Sequence, residues 1–322
     1  MKLTECAYPR IVRAVEESVW ALAPQTVAVI SELLALRSAG ERLDPAEIEA
    51  RLEAAGRMKA AQGVRRIRSG STAIVPIHGM ITYRASMFSD VSGMTSVEQV
   101  REDLSEALDD PKVSSIVLHI DSPGGNTDGI AELADDVYQA RGGDKPIVAV
   151  ADAMAASAAY WIATQAAEFV ASPSANVGSI GVIMMHVDRS ERLAKDGIKQ
   201  TAIHAGRYKT AGAPFEPLTD ETRAVLQARV DDMYGLFVEA VARGRGVDEE
   251  TVRAGFGEGQ VLLARRAMAE GMIDGVETLR SVLSRLAVAA PPSAPRAAQP
   301  APPRRRASGT GRARAALLRA QL

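Results

Sequence analysis

From residue 72 onward, short apolar and β-branched runs alternate with segments whose apolar residues recur at helical spacing. The runs at 73–77, 113–120, 147–151, 169–171, 180–185 and 200–204 predict strands. Residues 96–109, 127–141, 156–166 and 189–196 predict the helices between them. Strands alternating with helices of about 10–15 residues imply βαβ units around a parallel-rich sheet, an α/β fold. Beyond 218 the spacing turns helical, over 219–243, 248–254 and 264–270. Thr95-Ser96-Val97-Glu98 has the form of a capping box at the start of the first helix. The glycines at 255, 257 and 259 follow a helical segment, so they read as a helix exit and not as a nucleotide fingerprint.

Upstream, residues 11–37 carry apolar groups at helical spacing, and Asp44-Pro45-Ala46-Glu47 is a good helix start. A basic, polar stretch over 57–71 separates this region from the first strand. The expected organisation is a helical extension over 1–70, an α/β domain over 71–286, and a disordered tail over 287–322. That tail holds six of the sixteen prolines, with alanine, serine and arginine, and cannot bury enough surface to order itself.

Composition narrows the function classes. Of 322 residues, 47% are hydrophobic and 24% charged, which excludes a wholly disordered or collagen-like chain. The net charge of -2 provides no whole-chain field for nucleic acid or anionic membrane. Residues 286–322, however, carry seven arginines and no acid, so DNA contact by the tail and a plain solubilising role are both open. Cys6 is the single cysteine, which excludes an internal disulfide framework and a cysteine-based zinc cage. Acidic residues and Pro24 interrupt each early apolar run, and no stretch reaches the roughly 18 apolar residues of a membrane helix. The chain is expected to be soluble and cytoplasmic, with no membrane partner.

Three strand-end features can carry chemistry. Asp121-Ser122-Pro123-Gly124-Gly125 follows the run ending at Ile120. Its glycines either make a tight turn or let backbone N–H groups approach a ligand. Ser157 stands among alanines where a strand becomes a helix. It is either a helix cap or a nucleophile beside N–H groups able to hold an oxyanion. Arg207-Tyr208-Lys209-Thr210-Ala211-Gly212 holds one of only seven lysines. A lysine desolvated enough to lose its proton can serve as a base, whereas arginine cannot. The competing base is His186, with Asp188 placed to orient it in a triad. His78, His119 and His204 read as structural.

The order of these pieces resembles the S49 serine peptidases, the signal peptide peptidase A or protease IV family, and within it the phage head-maturation branch. The resemblance runs from about residue 73 to 276. It rests on Val75-Pro76-Ile77-His78-Gly79, Asp121-Ser122-Pro123-Gly124-Gly125, Ala155-Ala156-Ser157-Ala158-Ala159-Tyr160, Gly178-Ser179-Ile180-Gly181-Val182, and His204-Ala205-Gly206-Arg207-Tyr208-Lys209. Residues 83–95 also look like the capsid-protease type.

The resemblance implies a ClpP/crotonase-like fold and a Ser/Lys dyad, with Ser157 as nucleophile and Lys209 as base. It implies an oxyanion held by the N–H groups of Gly125 and Ala158 beside Gly124, and a channel shaped by residues 178–182. Family members often have glycine directly after the serine. Here Ala158 keeps the N–H donor, provided that it need not adopt a positive φ. No cofactor or metal is implied. The expected substrates are scaffold, portal or coat proteins of a prohead in the host cytoplasm. The expected assembly is a homo-oligomer, in which Lys209 can serve a neighbour's Ser157. The alternatives are a peptide-degrading enzyme of the bacterial signal-peptide-peptidase type, thioester chemistry of the crotonase type, and a non-catalytic capsid assembly protein.

Overall fold

The computed structural model describes residues 19–24, 26–29, 32, 67–84 and 94–289. Within them the chain forms β1 (Trp20–Leu22), β2 (Ile67–Ser69), β3 (Thr72–His78), β4 (Ile81–Thr82), β5 (Thr95–Ser96), α1 (Val97–Asp109), β6 (Ser115–Ser122) and β7 (Gly124–Asn126). Next come α2 (Ile130–Ala140), β8 (Ile147–Ala156), α3 (Ala158–Ala163), β9 (Glu168–Ala171), β10 (Asn176–Gly178) and α4 (Ser190–Lys195). The remainder is α5 (Asp220–Arg245), α6 (Glu249–Ala254), a 3-10 turn (Phe256–Gly259), β11 (Val261–Leu263), α7 (Ala264–Ala269), β12 (Gly275–Val276) and α8 (Leu279–Ala289).

The larger sheet has β3, β6 and β8 parallel at its centre. Ile116, Leu118 and Ile120 of β6 and Ile147, Ala149 and Ala151 of β8 join the main core with α1, α2 and α3. The alternate residues Val117, Val148 and Val150 meet Val170 of β9 and Val282 and Leu286 of α8. Coverage on both faces is why these strands are continuous apolar runs and do not alternate with polar residues.

Two irregularities create the site. β8 forks, its first half running parallel to β9 from Val148 to Ala151 and its end running parallel to β10 from Met154 to Ala156. Across from it the register with β6 slips between Ile120 and Ser122. The divergence opens the sheet at the carboxyl ends of β6 and β8, where ligand sites of such folds form. A second, smaller sheet of order β1-β7-β4-β5 sits there.

α3 is buried along its whole length. Trp161 stacks on Phe237 of α5 with ring centroids 4.6 Å apart, and the buried Tyr160 hydroxyl donates to the Met272 carbonyl at 2.9 Å. The start of α1 is capped one residue later than the Thr95–Glu98 box implies, Ser96 Oγ accepting from the Gln99 N–H at 3.3 Å, while Thr95 Oγ1 donates to the His78 carbonyl and Glu98 pairs with Arg84. Gly255 closes α6.

Four expectations are corrected. The apolar run 180–185 is not a strand of the sheet, because Ser179, with φ of 55°, turns the chain away after β10. Only Ile183 of that run pairs, with Trp20. Residues 200–204 form no ladder and are exposed, Ile203 almost wholly, since β-propensity is expressed only where a neighbouring strand is available. The helix expected from 156 starts at Ala158, because β8 continues through Ala156. Within 11–37, Trp20–Leu22 is a strand. Pairing with β7 overrides the helical spacing, helped by Ala23, whose position before Pro24 disfavours helix.

α8 runs to Ala289, past the point where composition starts the tail. Cys6, the helix start at 44–47, residues 85–93 and the arginine-rich segment from 290 lie outside the described residues. Among the described residues, no helix is long and apolar enough to cross a membrane.

Candidate active site

Ser157 sits at the hinge between β8 and α3 with φ of 55° and ψ of -118°, a conformation rare for a side-chain-bearing residue. Its neighbours hold it there. Its N–H donates to the Gly178 carbonyl at 2.7 Å, and its carbonyl accepts from Trp161 N–H at 2.9 Å. Its hydroxyl caps no amide of α3 and lies 3.4 Å from the Gly181 carbonyl. Of the two uses open to this serine, capping is therefore not the one adopted. Backbone strain of this kind persists only where the surroundings impose it, and it gathers at functional sites. The strain falls on Ser157 and spares Ala158, which has no positive φ. Alanine directly after the serine thus brings no backbone strain.

Gly124 and Gly125 are not a simple turn, because they lie in β7, between β1 and β4. Gly124 has φ of 98°, and a Cβ there would come within 2.2 Å of the Ala21 carbonyl and 3.0 Å of both Ala156 O and Ala158 N. At Gly125 a Cβ would stand 1.9 Å from Ile81 O. The loop is fixed from below, Ser122 Oγ donating to Gly79 O at 2.6 Å and accepting from Gly124 N–H at 3.1 Å. The two glycines, the Ala158 N–H and Ser157 are thus brought to one place.

Lys209 is in an exposed loop, its N–H bonded to Gly206 O at 3.1 Å. The described contacts of Ser157 and of Lys209 do not include one another. Asp188 does not orient His186 by a hydrogen bond. Its carboxylate accepts from Ser190 N–H at 2.8 Å and Ser190 Oγ at 2.6 Å, and these bonds hold its pKa below the usual value. Both bonds fall on one carboxylate oxygen, Oδ1, and His186 lowers the Asp188 pKa further through charge, without a hydrogen bond between the two. His78, expected to be structural, lies 3.1 Å from His119, which in turn is 3.4 Å from Asp152. Burial, reinforced by His119 and opposed by Asp152, lowers the His78 pKa to about 4. Among the described residues, no cluster of His, Cys, Asp or Glu is arranged to hold a metal ion.

The residues missed from sequence are those of β1 and Ile183, which border the same spot. The signal available was Ala23-Pro24 after Trp20, a local bias against helix that the surrounding apolar spacing masked.

An α/β sheet that ends in a strained, buried serine beside a glycine loop is consistent with a fold of the ClpP-like class. The chain matches the model of Peptidase family S49 over residues 139–291, which include Ser157 and Lys209. It is 32% identical over 217 residues to the head-tail preconnector protein GP5 of Enterobacteria phage P21, covering 67% of this chain and 43% of that one. It is 33% identical over 194 residues to the capsid assembly protease C of Escherichia phage lambda, covering 59% and 44%. Protease 4 of Salmonella typhi is 30% identical over 207 residues, covering 64% and 32%. The chain thus spans less than half the length of these relatives.

Proposed function

We propose that the chain is a serine endopeptidase of the prohead, cleaving scaffold, portal or coat proteins during capsid maturation. Ser157 Oγ attacks a substrate carbonyl, and neutral Lys209 takes the hydroxyl proton. The N–H groups of Gly125 and Ala158 hold the developing oxyanion, with Gly124 giving the space for their approach. The proton passes to the leaving amine, and water then releases the acyl group by the same relay. No metal or organic cofactor enters the reaction. The observation that carries this reading is the strained Ser157, uncommitted to capping and set beside Gly124 and the Ala158 N–H. The phage relatives favour the capsid role. The likeness to Protease 4 favours a second reading, a peptide-degrading enzyme of the signal-peptide-peptidase type.

Lys209 sits in an exposed loop, and Ile198, Ile203 and Tyr208, which precede it in the chain, are apolar side chains that are also exposed. This supports a homo-oligomer in which the loop packs on a neighbouring copy and Lys209 serves that copy's Ser157. Burial there would favour the uncharged amine. DNA contact by the arginine-rich tail and a place in the host cytoplasm belong to the same proposal.

The test is casein or scaffold hydrolysis. Ser157→Ala and Lys209→Ala should each be inactive, and Lys209→Arg as inactive as Lys209→Ala. Mixing the Ser157→Ala and Lys209→Ala chains should restore part of the activity if the dyad is shared. Full activity of Lys209→Arg would remove the base assignment, full activity of Ser157→Ala would remove Ser157 from the mechanism, and no hydrolysis by the wild type would leave a non-catalytic assembly protein as the better reading.

A further inference from the structure

β1 occupies a groove with two pairing edges. On one side it runs antiparallel to β7, Trp20 opposite Asn126, Ala21 opposite Gly125 and Leu22 opposite Gly124. The pairing continues at both ends, Ala23 N–H donating to Pro123 O at 2.8 Å and Thr127 N–H to Val19 O at 3.3 Å. On the other side, Trp20 N–H donates to Ile183 O at 2.9 Å and Ile183 N–H to Trp20 O at 2.8 Å. The Ala21 carbonyl lies against Gly124, which also abuts the Ala158 N–H, and Ser157 beneath is wholly buried. A peptide to be cut at Ser157 must bring an extended backbone to these same edges, with a carbonyl at this position.

The side chains alternate as a strand requires. Trp20 and Leu22 fall on one side, in an apolar cluster with Met80, flanked by Met94, Ile183 and Met185. Ala21 falls on the other side, against the main core, with no exposed surface.

We propose that residues 19–23 are the resident occupant of this chain's own peptide cleft. They form an internal strand that substrate must displace, and the cleft takes extended peptides with bulky apolar side chains on either side of a small residue. Both backbone edges are taken, so an incoming peptide finds no partner until β1 leaves. The apparent affinity for substrate falls by the fraction of molecules in which it has left. The proposal rests on the peptidase reading for the identity of the cleft.

The test uses the full chain and a fluorophosphonate probe of Ser157. Trp20→Ser, which removes the anchor from the apolar cluster, should raise the labelling rate about tenfold or more over wild type. Leu22→Ser is an independent release variant should Trp20→Ser fail to fold, which a thermal melt reports. A capped synthetic peptide of residues 19–23 should slow labelling of either variant, and the same peptide with serine for Trp20 should not. Equal labelling of wild type and of every folded release variant, with no effect of the peptide, would overturn the proposal while leaving the peptidase reading intact. A fluorescent form of the peptide should also bind the Trp20→Ser, Ser157→Ala double variant, which needs no chemistry. Binding there, with no labelling of Ser157 in any chain, would uphold the occupied groove and sink the peptidase reading instead. Absence of binding would overturn the occupied groove.

Discussion

Gly125→Ala tests the proposed oxyanion loop with a single methyl group. Unlike Gly124, Gly125 needs no positive φ, so the substitution acts through space alone. The new Cβ would stand 1.9 Å from Ile81 O and 2.6 Å from Ile81 C and N, all backbone atoms that no rotamer change can move. Non-bonded heavy atoms settle near 3.5–4 Å, so β7 and β4 must part by more than about 1 Å. The retreat breaks the pairing of Ile81 with Gly125 and moves the Gly125 N–H, the proposed oxyanion donor. Overpacking of this kind costs about 1–3 kcal/mol of stability. Misplacing one oxyanion donor costs about 10²–10³-fold in turnover. Peptide hydrolysis and fluorophosphonate labelling report the second effect and urea denaturation the first. Gly142→Ala is the control, since its Cβ meets nothing within 4 Å, and it should stay within about 0.5 kcal/mol of wild type. A Gly125→Ala protein that loses stability yet labels at the wild-type rate would refute the placement of this N–H in the oxyanion site. One that changes in neither respect would refute the packing argument as well.

Two further outcomes follow from the core. Tyr160→Phe deletes the hydroxyl that donates to Met272 O at 2.9 Å in a wholly buried setting, leaving that carbonyl without this donor. A lower urea midpoint, worth about 1–3 kcal/mol, is expected, with labelling of the folded fraction unchanged. For His78 the pKa falls from 6.5 to about 4 on folding, so between those values the unfolded chain binds more protons than the native one. Stability should therefore be level above pH 6.5 and decline as the pH drops towards 4, by about 1–2 kcal/mol at pH 5. His78→Gln should flatten that decline in urea titrations at pH 7.5 and 5, and an equally steep loss in the variant would assign the dependence to other groups.

Much of the candidate site was legible one strand at a time. Ser157, Gly124 and Gly125 each follow an apolar run, and a run that ends in small or turn-forming residues marks the mouth of a parallel sheet wherever the strands lie. Lys209 was legible as a residue type but not as a neighbour, because no described contact joins it to Ser157. His186 and Asp188 read as a triad pair, but the hydrogen bonds to that carboxylate come from Ser190 to Oδ1, and His186 acts on it only through charge. That competition is two residues away in sequence, but its outcome depends on where α4 begins.

The alternation of elements, the two-sided burial of β6 and β8, and the small residues around Ser157 were determined by the sequence, because apolar periodicity and the absence of a bulky Cβ are local properties. The fork of β8, the turn at Ser179 that denies residues 180–185 a place in the sheet, and the entry of Trp20–Leu22 between β7 and Ile183 were decided only in three dimensions. Strand pairing joins segments more than a hundred residues apart, and a stretch with weak or mixed local preference takes the conformation of the edge that accepts it.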